Sequence, residues 1–412
     1  ISACLVGSEM CIRDRYNRGD ESAFKGLIRN LIKVIPDIEI TVLEINAPQA
    51  AINEFDLHLS QVNFVNLIPV NSKWYNRFVN YAQMYHVDWL YHFLPTIRKV
   101  CELYKQVDFV IMAPGGINLG GFQDWRHLFL LSLAYRMDKP LIYYGRSIGP
   151  FPAGNWKQKR FRHLAYKILN YCSFVCLRDE KSISVAKELE VKCIQTVDSA
   201  FLDSTEVSIP NQVREMIGNS KYIVYVPNEL IWHYMFRDVN ASEINRFFIR
   251  LFELIQNHYP DYKIVMLPQT NNQKRNDYSY FKELRDISPY QKNIVIIPDT
   301  YSSDVQQAII KNAILMVGAR YHSIVFAINQ GIPFISLSYE HKMSGLLEVL
   351  KKTNRMIDIT KIFKNDLEME SALSHFESQV IDLVKSENAQ QEAKEIASKC
   401  FGMFCKTLLM KV

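Results

Sequence analysis

Short apolar runs alternate with longer amphipathic stretches along most of this chain, the rhythm of repeated strand–helix units. In the first half, residues 38–45, 108–113, 140–144, 173–177 and 192–197 read as buried strands. Between them a helix is expected from Glu21 to near Pro36, with Ala23, Leu27, Leu31 and Ile32 on one face, and further helices over 89–104, 125–136, 157–169 and 181–189. A polar connector containing Pro210 separates this half from a second series. There the strands are expected over 222–226, 262–267, 293–297, 314–317 and 332–337, and helices over 243–258, 304–312 and 324–328. Such alternation implies two parallel sheets covered by helices. The expected division is 16–205 for an N-terminal Rossmann-like domain and 206–378 for a C-terminal one. A helical segment, 379–412, is expected to cross back to the first. Residues 1–15, ISACLVGSEMCIRDR, do not continue the rhythm and lack the charged-then-apolar order of a signal peptide. They are set aside as a non-native tail that can be removed with little loss, the first strand being missing or replaced.

Composition narrows the class without naming a function. Hydrophobic residues make up 48% of the 412, enough for two cores and too many for a disordered chain. A formal net charge of +5 with no basic tract argues against nucleic acid as a partner. The eight cysteines are scattered, with no paired Cys-x-x-Cys, so neither zinc nor a disulfide framework is expected, and unpaired thiols fit a reducing cytosol. No apolar run has the length of a membrane-spanning helix. The aromatic-rich stretch containing Trp74, Tyr75, Phe78, Tyr81, Tyr85, Trp89, Tyr91 and Phe93 reads as a core wall, a sugar-stacking wall or a peripheral membrane surface.

The chemistry-bearing residues fall at strand ends. Arg320 and His322 stand between an apolar run and a buried helix, where open α/β sheets bind ligands and helix N–H groups attract anions. An arginine can grip a carboxylate or phosphate through two hydrogen bonds, and a histidine can carry a proton near neutral pH. By spacing alone, an exposed Arg and a core-edge His in an ordinary turn fit equally well. Gly115, Gly116 and Asn118 lie in a glycine-rich loop that is neither a Walker loop nor a dinucleotide fingerprint. Ser147 lies in a loop ending the 140–144 strand, and Arg178 precedes a helix beside Asp179. Asp20 reads as a helix cap or a site residue, and Asn228 and Gln269 end strands of the second half. Lys342 either touches a ligand phosphate or pairs with Glu340.

The stretch VGARYHSIVFAINQGIPFISLSYEHKMSGLL, residues 317–347, resembles the C-terminal signature of the polysaccharide pyruvyl transferase family. Arg320, His322, Gly331, Pro333, Tyr339 and Lys342 match its Gly-x-Arg-x-His, Gly-x-Pro and Tyr-x-x-Lys elements. Upstream, Asn17-Arg18-Gly19-Asp20-Glu21, the Gly115-Gly116 pair, Gly145 to Pro150, Arg178 to Ser182, Asp198 to Phe201 and Asn276-Asp277 resemble further family elements. The resemblance implies two Rossmann-like domains facing across a cleft in the GT-B manner. It implies transfer of the enolpyruvyl unit of phosphoenolpyruvate onto a sugar as a ketal. Arg320, Arg178, His322 and Lys342 would serve the donor, and Arg320 and His322 the chemistry. Asn17, Asp20, Gly115, Gly116, Asn118, Ser147, Asn228 and Gln269 would line the cleft and the acceptor. No cofactor or metal is expected; the partners are phosphoenolpyruvate and a sugar acceptor, free or lipid-linked. The location implied is cytoplasmic, up to the inner face of the membrane. A nucleotide-sugar glycosyltransferase of the same layout and an inactive carbohydrate-binding relative are the competing readings.

Overall fold

Ser2–Val6, the segment set aside by sequence as a tail, is β1, and it lies at the centre of the first sheet. The computed structural model describes residues 1–6, 17–45, 59–67, 81–83, 94–121, 123–203, 206–272, 275–383 and 387–410. β1 pairs in parallel with β2 (Glu39–Ile45) on one side and β4 (Phe109–Met112) on the other. Ala3, Cys4, Leu5 and Val6 are wholly buried. The Ile1 and Ser2 carbonyls accept from the amides of Glu39 and Asp108 at 2.9 Å each. The expectation of a dispensable tail is therefore corrected for residues 1–6; residues 7–15 lie outside the described residues. Residues 3–6 show no alternation and stand apart from the strand–helix rhythm that follows, yet a strand buried on both faces needs no alternation.

The remaining strands of this sheet are β3 (Val62–Leu67), β5 (Gly115–Leu119), β6 (Leu141–Ile148), β7 (Phe174–Leu177) and β8 (Ile194–Gln195). Their order is β3-β2-β1-β4-β6-β7-β8, with β5 pairing β6, and every described pairing is parallel. Two expected loops are strand: Gly115–Leu119 forms β5, and β6 runs on through Gly145, Arg146 and Ser147 to Ile148. Glycines hid both from pattern reading, since they weaken strand propensity without forbidding the ladder. Helices Pro95–Gln106, Trp125–Arg136 and Trp156–Tyr171 pack apolar faces onto one core with Leu128, Leu131, Phe161 and Ile168. Of the aromatic-rich stretch, only Tyr81 is described, half-exposed; Trp74, Tyr75, Phe78, Tyr85, Trp89, Tyr91 and Phe93 lie outside the described residues.

The second sheet contains β9 (Tyr222–Val226), β10 (Lys263–Met266), β13 (Ile294–Ile296), β14 (Met316–Gly318), β15 (Phe334–Ser338) and β16 (Met356–Asp358). β11 (Asn271–Asn272) and β12 (Arg275–Asn276) make a separate small hairpin. The order β13-β10-β9-β14-β15-β16 is all parallel among the described pairings, the doubly wound Rossmann arrangement. Its chain order reverses between β9 and β14, so the crevice beyond their C-terminal ends is this sheet's expected ligand position.

The chain divides into two compact units. One comprises 1–15, 20–203 and 395–412, the other 16–19 and 204–394. The last helix, Glu387–Leu409, therefore contributes its C-terminal part to the first unit, where Phe404 packs against Tyr144 and Phe174. No described helix is long and apolar enough to cross a membrane.

Candidate functional site

Gly318 ends β14, and Arg320 occupies the N-cap position of the helix Tyr321–Asn329, at the switch point of the second sheet. A Cβ on Gly318 would lie 2.0 Å from the Ser323 hydroxyl, so a side chain here would displace that hydroxyl. Ser323 donates to the Arg320 carbonyl at 2.5 Å. The Arg320 guanidinium forms an ion pair with Asp277 through Nη2, while its Nε is buried without a hydrogen-bond partner. Burial works against the charge, and Asp277, with Tyr339 and Glu340, overcomes it, so the guanidinium is held above its usual pKa. Asp277 is itself fixed: its Oδ2 accepts from the amides of Gln269 at 3.1 Å and Thr270 at 2.9 Å. One carboxylate thus ties the end of β10 to Arg320. Sequence reasoning passed over Asp277 as a site residue because 43 positions separate it from Arg320, and no spacing rule bridges that distance.

His322 is buried two residues further on, its ring in edge contact with Tyr321 at 4.9 Å between centroids. Gly19 lies against it: a Cβ there would fall 1.7–2.3 Å from the His322 side chain. Residues 16–19 belong to the second unit, where the Arg18 amide donates to the Gln269 carbonyl at 3.1 Å and its guanidinium to the Asp299 carbonyl at 2.7 Å. Asn17 accepts from the Gly19 amide at 3.1 Å and so does the capping expected of Asp20, which lies inside the first turn of the helix Arg18–Val34.

Asn228, wholly buried after β9, donates to the Tyr339 hydroxyl at 2.7 Å and accepts from the Trp232 indole at 3.3 Å. Lys342 pairs with Glu340 at 2.7 Å, the second of the two alternatives open by sequence. Burial pushes the Glu340 carboxyl up, but Lys342, His233 and Tyr339 more than offset it and hold the group below the usual carboxylate range. The Gln269 side-chain nitrogen is buried without a hydrogen-bond partner. The second unit thus gathers Arg320, His322, Asn17, Asn228, Gln269 and Lys342 of the expected residues, and adds Asp277 and Glu340.

Arg178, Ser147, Gly115, Gly116, Asn118 and Asp20 belong to the first unit. Arg178 is buried against Asp198, and its Nε donates to the Ser147 hydroxyl at 3.1 Å. Ser147 in turn donates to Asp179 at 2.6 Å, and Asp198 also holds the Ala200 amide at 3.0 Å. Arg146, fully buried, reaches the carbonyls of Ala113 and Gly116 and so braces the glycine pair from below. The Asn118 side chain lies outside the described residues. Removing one member of a buried ion pair strands the other charge. Asp198→Ala is therefore expected to cost about 3–5 kcal/mol, read as a lowered urea midpoint. A midpoint within error of wild type would show the pair to be dispensable.

Among the described residues, no cluster of three His, Cys, Asp or Glu side chains could hold a metal ion. The arrangement at Arg320 suits an oxyanion: a guanidinium oriented by one carboxylate, its Nε edge left over, and an imidazole two residues on.

Comparisons with known proteins bear on the family and the fold. A family model for polysaccharide pyruvyl transferase matches residues 17–341. The amylovoran biosynthesis protein AmsJ of Erwinia amylovora is 22% identical over 391 residues, covering 88% of this chain and 89% of that protein. Among solved structures, the UDP-GlcNAc 2-epimerase of Neisseria meningitidis bound to UDP-GlcNAc superposes with a TM-score of 0.54 at 12% identity, covering 99% of each chain. The Arabidopsis thaliana UGT89C1 complexed with UDP gives 0.54 at 10% identity, covering 100% of each. At such identities the likeness concerns the fold alone, a pair of parallel-sheet α/β domains of GT-B type.

Proposed function

This chain belongs to the polysaccharide pyruvyl transferase family, and from that membership we propose that it transfers the enolpyruvyl unit of phosphoenolpyruvate onto a sugar, forming a pyruvate ketal and releasing phosphate. The observation that carries the reading is Arg320, held by Asp277 at the switch point with its Nε edge unused. A guanidinium presents five N–H groups in a planar fork, so one carboxylate orients it without exhausting it. Arg320 then binds an anionic group of the donor.

His322 is proposed to deliver a proton to the methylene carbon of the donor, which gives C2 oxocarbenium character. One sugar hydroxyl attacks C2, phosphate departs, and a second hydroxyl closes the ketal. A proton donor and fixed cationic groups supply what these steps require. The acceptor belongs to a cell-surface polysaccharide or its precursor, in line with the polysaccharide in the family's description and the biosynthetic role in AmsJ's name. The reaction is placed in the cytoplasm, up to the inner membrane face, without a cofactor.

Phosphoenolpyruvate is expected to raise the melting temperature, and nucleotide-sugars to leave it unchanged. At a hundredfold excess over the dissociation constant, binding stabilises by about 2.7 kcal/mol. A shift with a nucleotide-sugar and none with phosphoenolpyruvate would replace this reading with a glycosyltransferase.

A further inference from the structure

The turn after β9 presents aromatic rings in a graded series. Phe236 and Tyr339 are buried at its base, Trp232 and His233 are half-buried above them, and Tyr234 is 71% exposed. The rings form one stack of edges and faces. His233 lies 5.3 Å from Tyr339, 5.4 Å from Trp232 and 4.6 Å from Tyr234 between centroids. Asn228 anchors the series from beneath, through its hydrogen bonds to Tyr339 and Trp232. Such an arrangement is costly for a free loop, because rings packed below hold Tyr234 out in water beside the exposed Ile231 and Met235.

The polar groups beside the shelf select the ligand. Glu340 stands at the N-cap position of the helix His341–Val349 but makes no cap hydrogen bond with its side chain. Its carboxylate turns instead to Lys342 and remains partly exposed. An ionised carboxylate at the edge of an aromatic shelf accepts hydrogen bonds from hydroxyls. Its charge is balanced by Lys342, so the edge offers a hydroxyl acceptor rather than an unpaired cation for an anionic headgroup. The aromatic faces accept the C–H face of a ring, and the shelf lies beyond β9, at the switch point where Arg320 also sits.

We propose that the shelf of Trp232, His233 and Tyr234, with Glu340 at its edge, is a subsite for a neutral pyranose. Its assignment as the place of the acceptor sugar rests on the pyruvyl-transfer reading. Stacking fixes the sugar plane, and Glu340 accepts from a hydroxyl. The sugar is thereby held in the same unit as Arg320.

Saturation-transfer NMR with methyl β-D-glucopyranoside, galactopyranoside and mannopyranoside tests the subsite directly on the full chain. Wild type is expected to bind at least one of them, with Tyr234→Ala and Glu340→Gln each about tenfold weaker, the loss of one charge-assisted hydrogen bond or its equivalent. Melting should change little in Tyr234→Ala, since Tyr234 is 71% exposed. Tyr234→Ala should keep the stabilisation by phosphoenolpyruvate. Absence of binding to all three glycosides overturns the proposal, as does equal binding by Tyr234→Ala. Sedimentation of wild type, but not Tyr234→Ala, with phosphatidylglycerol vesicles would overturn it in favour of a lipid surface. Loss of the phosphoenolpyruvate shift in wild type, with glycoside binding intact, would instead remove the pyruvyl-transfer reading and leave the subsite.

Discussion

Leu5→Asp is expected to abolish cooperative folding of the first unit. Leu5 is wholly buried in β1, paired with Val42 on one side and Ile111 on the other. Losing a buried leucine side chain costs about 1.5–3 kcal/mol. An unpaired carboxylate in the same place costs several kcal/mol more, or is protonated at comparable expense. Against a total stability of about 5–15 kcal/mol, the sum removes most or all of it. The neighbouring strands lose their ladder as well, since β2 and β4 both pair with β1. Near-ultraviolet circular dichroism during urea titration is the measurement. A transition within about 1 kcal/mol of wild type would mean that Ser2–Val6 contributes little to the sheet.

The second large effect is expected at the switch point. Arg320→Lys keeps a positive charge but loses the planar fork, and one ammonium cannot serve Asp277 and a donor anion with the same directed geometry. A charge-assisted hydrogen bond is worth about 1.5–3 kcal/mol, and about 1.4 kcal/mol is tenfold in rate. Turnover over affinity should therefore fall at least about tenfold. His322→Gln retains hydrogen bonding and removes the proton carrier, so the maximal rate should fall more than donor affinity. Phosphate release from phosphoenolpyruvate with a sugar acceptor is the assay. Near-native turnover by both folded variants would return Arg320 and His322 to the role of a polar turn before a buried helix.

Periodicity alone located most elements, because a strand covered on both faces must be continuously apolar and its crossover helix must be amphipathic. The run 222–226 coincides with β9, and the helix expected over 243–258 is observed as Ala241–His258. The same logic brought Arg320 and His322 to a strand-to-helix junction, since any polar residue between two buried elements must lie at an end. Local pattern failed where pairing is decided by distant segments. β1 is a strand because β2 and β4 flank it, and β5 because β6 offers it a ladder. The partners of the functional side chains were likewise invisible. Asp277 meets Arg320 and Asp198 meets Arg178 only after separate strands end at the same edge of a sheet, and Gly19, in the first turn of the helix Arg18–Val34, meets His322 from far away in the chain. An amino-acid sequence determines which residues are polar at strand ends; the order of strands in the sheet decides which of them meet.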